Sequence, residues 1–254
     1  IKIQSVKHEV YNDIGYLRIT SFTEQTEKGL LKSLDKIQKE NEDINGYILD
    51  MRSNPGGLLN QAVKVTDIFL KRGEIVSTRG RETKDIRRYR AKNKDLTDGK
   101  PIVVIINGGS ASASEIVAGA LQDHRRAIVI GTQSFGKGSV QTIIPFQRSN
   151  SDNISGIRLT TARYYTPSGE SIQGKGITPD IIIEQGEFES FDFKRYSESD
   201  LKDSLDKEDN NSNNKEEDNV ELSEKEERLA RDYQLRRALD LIRGLSLFEE
   251  SFEE

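Results

Sequence analysis

Residues 101–131, "PIVVIINGGSASASEIVAGALQDHRRAIVIG", constrain the fold more than any other stretch. The run "PIVVII" shows no polar alternation, which fits a strand buried on both faces. "NGGSAS" supplies a turn of small residues, and "ASEIVAGALQD" (113–123) reads as a helix with small side chains on one side. "AIVIG" (127–131) is a second short buried strand. Strand, helix and strand in this order make a βαβ crossover, which calls for a parallel or mixed sheet covered by helices. The fold class is therefore α/β.

The surrounding segments agree. "IGYLRITSF" (14–22) alternates as a strand, and residues 27–40 place Leu30, Leu34 and Ile37 on one helical face. "GYILDM" (46–51) is a short buried strand broken by "RSNPGG", a turn. Residues 58–70 return to helical spacing, and 74–78 read as a strand. Residues 79–100 are rich in both charges with few apolar anchors, and are expected to be an exposed excursion rather than a nucleic-acid patch. "SVQTIIPF" (139–146) and "GIRLTTARYYT" (156–166) alternate as strands. Residues 1–185 thus form one core domain.

Beyond residue 185 the composition shifts. "SLDKEDNNSNNKEEDN" holds one leucine among charged and small polar residues, so 186–222 is expected to be an acidic, disordered low-complexity linker. Residues 223–248 read as an amphipathic helix, with Ser223 and Glu226 as a capping box, Leu235, Leu239 and Ile242 as the stripe and Gly244 as its C-terminal cap. Whether that stripe packs on its own core or on a second chain is open. Net charge −5 argues against generic nucleic-acid binding, and the absence of cysteine excludes disulfides and thiolate chemistry. With Ile at position 1, the single methionine at 51 and no signal-peptide pattern, the sequence reads as a piece of a longer polypeptide.

"SASASEI" (110–116) sets three serines between a buried strand and a helix start. That is the carboxyl end of a sheet, where α/β proteins bind ligands, and a helix N-terminus offers free amides to an oxyanion. Ser112 with Glu115 equally fits a plain capping box. The amide of Ala113 is a natural first oxyanion donor. The "NPGG" turn, with Gly56 and Gly57, opens on the same sheet edge and offers a second. Histidine is a poor base here: His8 and His124 are the only two, and His124 lies about 18 Å along a continuous helix from its start. Lys137, flanked by glycines in "FGKGSVQ", is the alternative, provided that desolvation leaves its amine neutral at working pH. Gln141 falls on the same strand face and can hold that amine.

"NGGSASASEIVAGALQD" with "GTQSFGKGSVQTIIPF" resembles the carboxyl-terminal processing proteases, the tail-specific serine peptidases. "YILDMRSNPGGLLNQAV" and "LTTARYYTPSGESIQGKGITPDI" resemble that family's flanking blocks, and the resemblance spans residues 9–184. It implies a nucleophile at Ser112, a general base at Lys137 and a supporting amide at Gln141, and it chooses Ser112 over Ser110 and Ser114. It also implies a ClpP/crotonase-like spiral with no metal or other cofactor. Further implications are protein or peptide substrates bound by their C-terminal region and action in the periplasm or cell envelope. Membrane anchoring and oligomerisation of the full-length protein stay open. Family members carry a PDZ domain ahead of this region, so the chain reads as a catalytic core without one. The rival reading is a catalytically inert interaction scaffold, or a core that needs the missing domain for activity.

Overall fold

The computed structural model describes residues 4–41, 43–92, 95–146, 155–186 and 224–250. It divides into two compact units, Ile1–Gln185 with Gln234–Glu254, and Gly186–Tyr233. Within the second unit the described helix is α4 (Glu224–Arg231), and the expected linker and its Ser223 cap lie outside the described residues apart from Gly186.

The first unit begins with β1 (Val6–Tyr11) and β2 (Ile14–Ile19), an antiparallel hairpin. Its turn uses Asn12 at φ 56, a left-handed conformation that asparagine tolerates. There follow α1 (Thr26–Glu40), β3 (Gly46–Asp50), α2 (Leu59–Phe69), β4 (Glu74–Arg79), β5 (Arg87–Arg90), β6 (Ile102–Ile106), α3 (Ala113–Asp123) and β7 (Ile128–Gly131). The long strands β8 (Ser139–Phe146) and β9 (Ser155–Tyr165) precede the short β10 (Ile181–Ile182). The helix α5 (Tyr233–Glu250) closes the described chain, and its residues from Gln234 belong to this unit.

One sheet has the order β1-β2-β3-β6-β7-β10 and is parallel apart from the first hairpin; a second, antiparallel sheet has the order β5-β4-β9-β8. This is the mixed α/β architecture that the strand and helix series implied. Asp50 at the end of β3 pairs with Ile105 on β6, so the turns after these two strands open side by side. That single register places the "NPGG" turn against "SASAS".

Leu17, Ile19, Leu49, Val104 and Ile106 pack with Leu30, Leu34, Val65, Val117 and Leu121 of the three helices in one apolar core. By alternation Tyr16, Ile48, Val103, Ile105 and Ile130 look the other way, and they are buried too. The α5 stripe Leu235, Ala238, Leu239 and Ile242 is also fully or nearly fully buried. A Cβ added to Gly46, the first residue of β3, would stand 2.6 Å from Ile242 Cγ2. The C-terminal stripe therefore packs within its own core unit.

Several expectations change. The excursion 79–100 contains β5, paired with β4, and its Asp95 is buried, accepting Arg126 Nε at 2.6 Å and the amide of Thr97 at 2.9 Å. A single helix over 223–248 becomes two, α4 and α5, separated at Asp232. Gly244 does not cap: α5 runs on to Glu250, with Leu245 still partly covered one residue later. Strands β1 and β10 were not foreseen.

Candidate active site

The turn between β6 and α3 is built from the three serines, and each has a different job. Ser110 is buried, its hydroxyl donating to the carbonyl of Met51 at 2.8 Å. Ser114 is buried as well, its hydroxyl donating to the carbonyl of Asn54 at 3.0 Å. Both pin the serine turn onto the turn after β3. Ser112 is only half-buried, at the N-cap of α3, with φ 55 and ψ −109. A non-glycine residue with positive φ is costly, about 1–3 kcal/mol, and persists only where the surroundings impose it.

Glu115 imposes it. Its side chain is fully buried, and one oxygen, Oε2, accepts the backbone N–H of Ser112 at 2.7 Å and that of Lys137 at 2.9 Å. The other, Oε1, accepts the amide of Gly136 and the hydroxyl of Ser134, each at 2.6 Å. All four partners donate, as befits an acceptor-only carboxylate. The sequence pattern showed Glu115 only as half of a capping box. Its larger role, joining the turn of Ser112 to the loop of Lys137, depends on contacts across some twenty residues that no local spacing reports.

Gly56 and Gly57 sit where the sequence placed them. A Cβ at Gly56 (φ 94) would come within 2.8 Å of the Ala113 nitrogen and of Ser112 Cβ; one at Gly57 (φ 147) would meet the carbonyl oxygen of Phe22 at 2.1 Å. Only glycine permits that approach. Asn54 is the joint: fully buried, it accepts the Gly56 amide on Oδ1 at 2.9 Å and donates through Nδ2 to Ile19 O at 2.9 Å. Its own carbonyl accepts the Ala111 amide at 2.9 Å. Among the described residues the amides of Gly57 and Ala113 donate to no protein acceptor. One free N–H, that of Ala113, thus follows Ser112 directly, and a second, that of Gly57, lies in the turn packed against it through Gly56.

The Lys137 backbone is tied to the site through Glu115. Gln141 lies in β8 beyond a register shift at Val140/Gln141, so the two do not share the one regular strand face that their spacing suggested. Both side chains are exposed, and among the described residues neither the lysine amine nor the glutamine amide makes a hydrogen bond to Ser112 or to the other. His124 lies at the far end of α3, where Nε2 is 2.7 Å from the carbonyl oxygen of Glu74, and cannot reach Ser112.

Beneath the "NPGG" turn lies a buried charge cluster. Asp50 is fully buried; Arg52 grips it through Nε at 3.1 Å and Nη2 at 2.7 Å, Arg18 through Nη1 at 2.7 Å, and the Tyr16 hydroxyl donates to it at 2.7 Å. Burial by itself raises a carboxyl pKa, but the hydrogen bonds and charge of Arg52 and the charge of Arg18 outweigh it and hold Asp50 below the usual range.

The model of peptidase family S41 matches residues 13–183, well over half of the sequence. The chain belongs to peptidase family S41. It is 63% identical over 187 residues to a carboxy-terminal-processing protease of Bartonella bacilliformis, covering 73% of this chain and 42% of that one. A carboxyl-terminal-processing protease of Synechocystis is 40% identical over 172 residues, covering 68% of this chain and 38% of its own length. Among solved structures, the photosystem II D1 C-terminal processing protease superposes with a TM-score of 0.62 at 31% identity, over 72% of this S41 chain and 49% of that one. Mature CPAF shares the fold, with a TM-score of 0.53 at 16% identity over 70% of this chain and 49% of its own. The S41 chain spans less than half the length of these relatives.

Proposed function

We propose that this chain is the catalytic core of a serine endopeptidase that processes proteins near their C-termini through a Ser112–Lys137 dyad. The observation that carries the reading is Ser112 itself: a strained, partly exposed serine next to the free Ala113 amide and against the glycine turn, with both neighbouring serine hydroxyls already engaged. In the proposed reaction the neutral Lys137 amine takes the proton as Ser112 Oγ attacks the scissile carbonyl. The Ala113 and Gly57 amides, with Gly56 holding the approach open, stabilise the oxyanion, an effect worth about 10²–10³-fold per donor. Lys137 returns the proton to the leaving amine, and water releases the acyl group by the reverse steps. Gln141 orients the lysine amine.

A substrate strand fits the outer edge of β8, which among the described residues pairs only with β9 and begins two residues after Lys137. A cavity of about 440 Å³ lies over the face of this sheet, lined by Tyr89, Val140, Thr142 and Thr161 together with the charged Lys84, Asp85 and Arg87. Phe135, two residues before Lys137, and Leu58, next to Gly57, are exposed apolar side chains. Three of the relatives named above are carboxyl-terminal processing proteases, which supports protein substrates; action in the periplasm or cell envelope belongs to the same proposal. Among the described residues no helix is long and apolar enough to cross a membrane.

The exposure of Lys137 and Gln141 favours one addition: the lysine amine is dehydrated when substrate, or a part of the longer protein, covers this loop. Digestion of unfolded casein with products mapped by mass spectrometry tests the function. Cuts clustered near C-termini, and retained in a His8→Ala/His124→Ala variant, support it; activity abolished by the histidine changes overturns it. Activity restored by adding the remainder of a full-length relative identifies the covering element.

A further inference from the structure

We infer that Gln234, on the C-terminal helix, is a positioning residue for the oxyanion turn, which makes α5 part of the catalytic unit. The catalytic half of this inference rests on the peptidase reading above; the positioning half rests on geometry alone. Gln234 is the single buried polar residue of α5 among those described, 2% exposed beside Leu235, Ala238, Leu239 and Ile242. Burying an amide is unfavourable unless both its ends find partners, whereas leucine at the same place needs none. Here both ends are engaged. Oε1 accepts Arg52 Nη1 at 3.2 Å, and Nε2 donates to the carbonyl of Ile183, just after β10, at 2.6 Å.

Arg52 is a lever on the site. Its side chain is 11% exposed, and its partners include Asp50 at the end of β3 and Gln234 on α5. Its main chain is held by the same cluster: the amide donates to Asp50 Oδ1 at 2.9 Å and the carbonyl accepts Arg18 Nη2 at 2.9 Å. The next residue, Ser53, has φ 54, and the chain then reverses through Asn54 to the free amide of Gly57. The amides of Ser53, Gly56 and Leu58 are hydrogen-bonded within this turn or to Phe22 and Asn107, so its order is readable by hydrogen exchange. Removing Gln234 takes away the hold of α5 on Arg52 and loosens the turn that presents the proposed oxyanion donor.

The test compares the chain with Gln234→Leu and Gln234→Glu, the latter keeping an acceptor toward Arg52. Hydrogen exchange over residues 53–58 is read beside that of β6, and kcat and KM are measured on a casein peptide. In Gln234→Leu, exchange at 53–58 rises about tenfold with β6 unchanged, and kcat falls about tenfold at constant KM, the pattern of a lost transition-state contact. Gln234→Glu, which keeps the acceptor toward Arg52 but sets a second acceptor against the Ile183 carbonyl, falls between the parent and the leucine variant in both. Unchanged exchange at 53–58, a uniform rise that includes β6, or unchanged kcat overturns the inference. Should the leucine variant fail to fold, Gln234→Met, closer in shape, carries the same comparison. Failure of the peptidase reading looks different: cleavage then survives Ser112→Ala, and Gln234 as a positioning residue for that site falls with it.

Discussion

A methyl group added to Gly56 would stand 2.8 Å from Cβ of Ser112, closer than real Cβ contacts come, because the turn after β3 is pressed directly onto the serine turn after β6. Gly56→Ala also meets the Ala111 carbonyl oxygen at 2.5 Å and must hold φ near 94. Neither neighbour is a flexible side chain, so the turns must separate. The variant is expected to lose at least about 2 kcal/mol of stability and most peptidase activity. Urea denaturation with a parallel casein assay measures both. An Ala variant of parental stability and rate would show that the two turns are not tightly joined.

Glu115 offers a second test. Glu115→Gln keeps the shape but exchanges one acceptor oxygen for a donor, which faces amides that also donate. A cost of about 3 kcal/mol is expected, with a kcat reduced about 100-fold, because the backbones of Ser112 and Lys137 lose their shared anchor. Steady-state kinetics on folded variant, normalised to the folded fraction, separate the two effects. Glu115→Asp, a methylene shorter, should also fail, since four donors at 2.6–2.9 Å cannot all follow.

The Asp50 cluster predicts an acid limb in stability. Its folded pKa lies below its unfolded value, so the stabilisation is complete above about pH 3.9 and is lost as pH falls from there through the folded value. Asp50→Asn removes that contribution together with the buried carboxylate that Arg18 and Arg52 share. Loss of about 3–5 kcal/mol at neutral pH is expected, together with a flatter dependence below pH 4. Urea midpoints at pH 7, 5 and 3 check both slopes.

Much of the fold was legible because it is carried by local patterns. The unbroken apolar run of β6, the stripe of α1 and the turn residues after β3 each identify their element without help from elsewhere. Where two elements interact, the sequence was quieter. Residues 87–90 carry three arginines and one tyrosine, and they become β5 only because β4 offers an edge to pair with. Asp95 looked solvated and is buried by an arginine thirty-one residues away. Gly244 resembled a helix cap, but α5 continues past it to Glu250.

The site divides in the same way. Ser112, Gly56, Gly57 and Ala113 follow from two turns whose strands are neighbours, and the sheet register brings them together. Glu115 was visible only in its local role. The side chains of Lys137 and Gln141 depend on what covers an open loop, and here both face solvent.

Casein cleavage by the chain, by Ser112→Ala and by Lys137→Ala is the most direct measurement of the dyad. The dyad predicts cleavage by the parent that falls at least about 1,000-fold in each single variant, with no further loss in the double variant, because the two residues act as one unit. Cleavage that survives either substitution near the parental rate would contradict it.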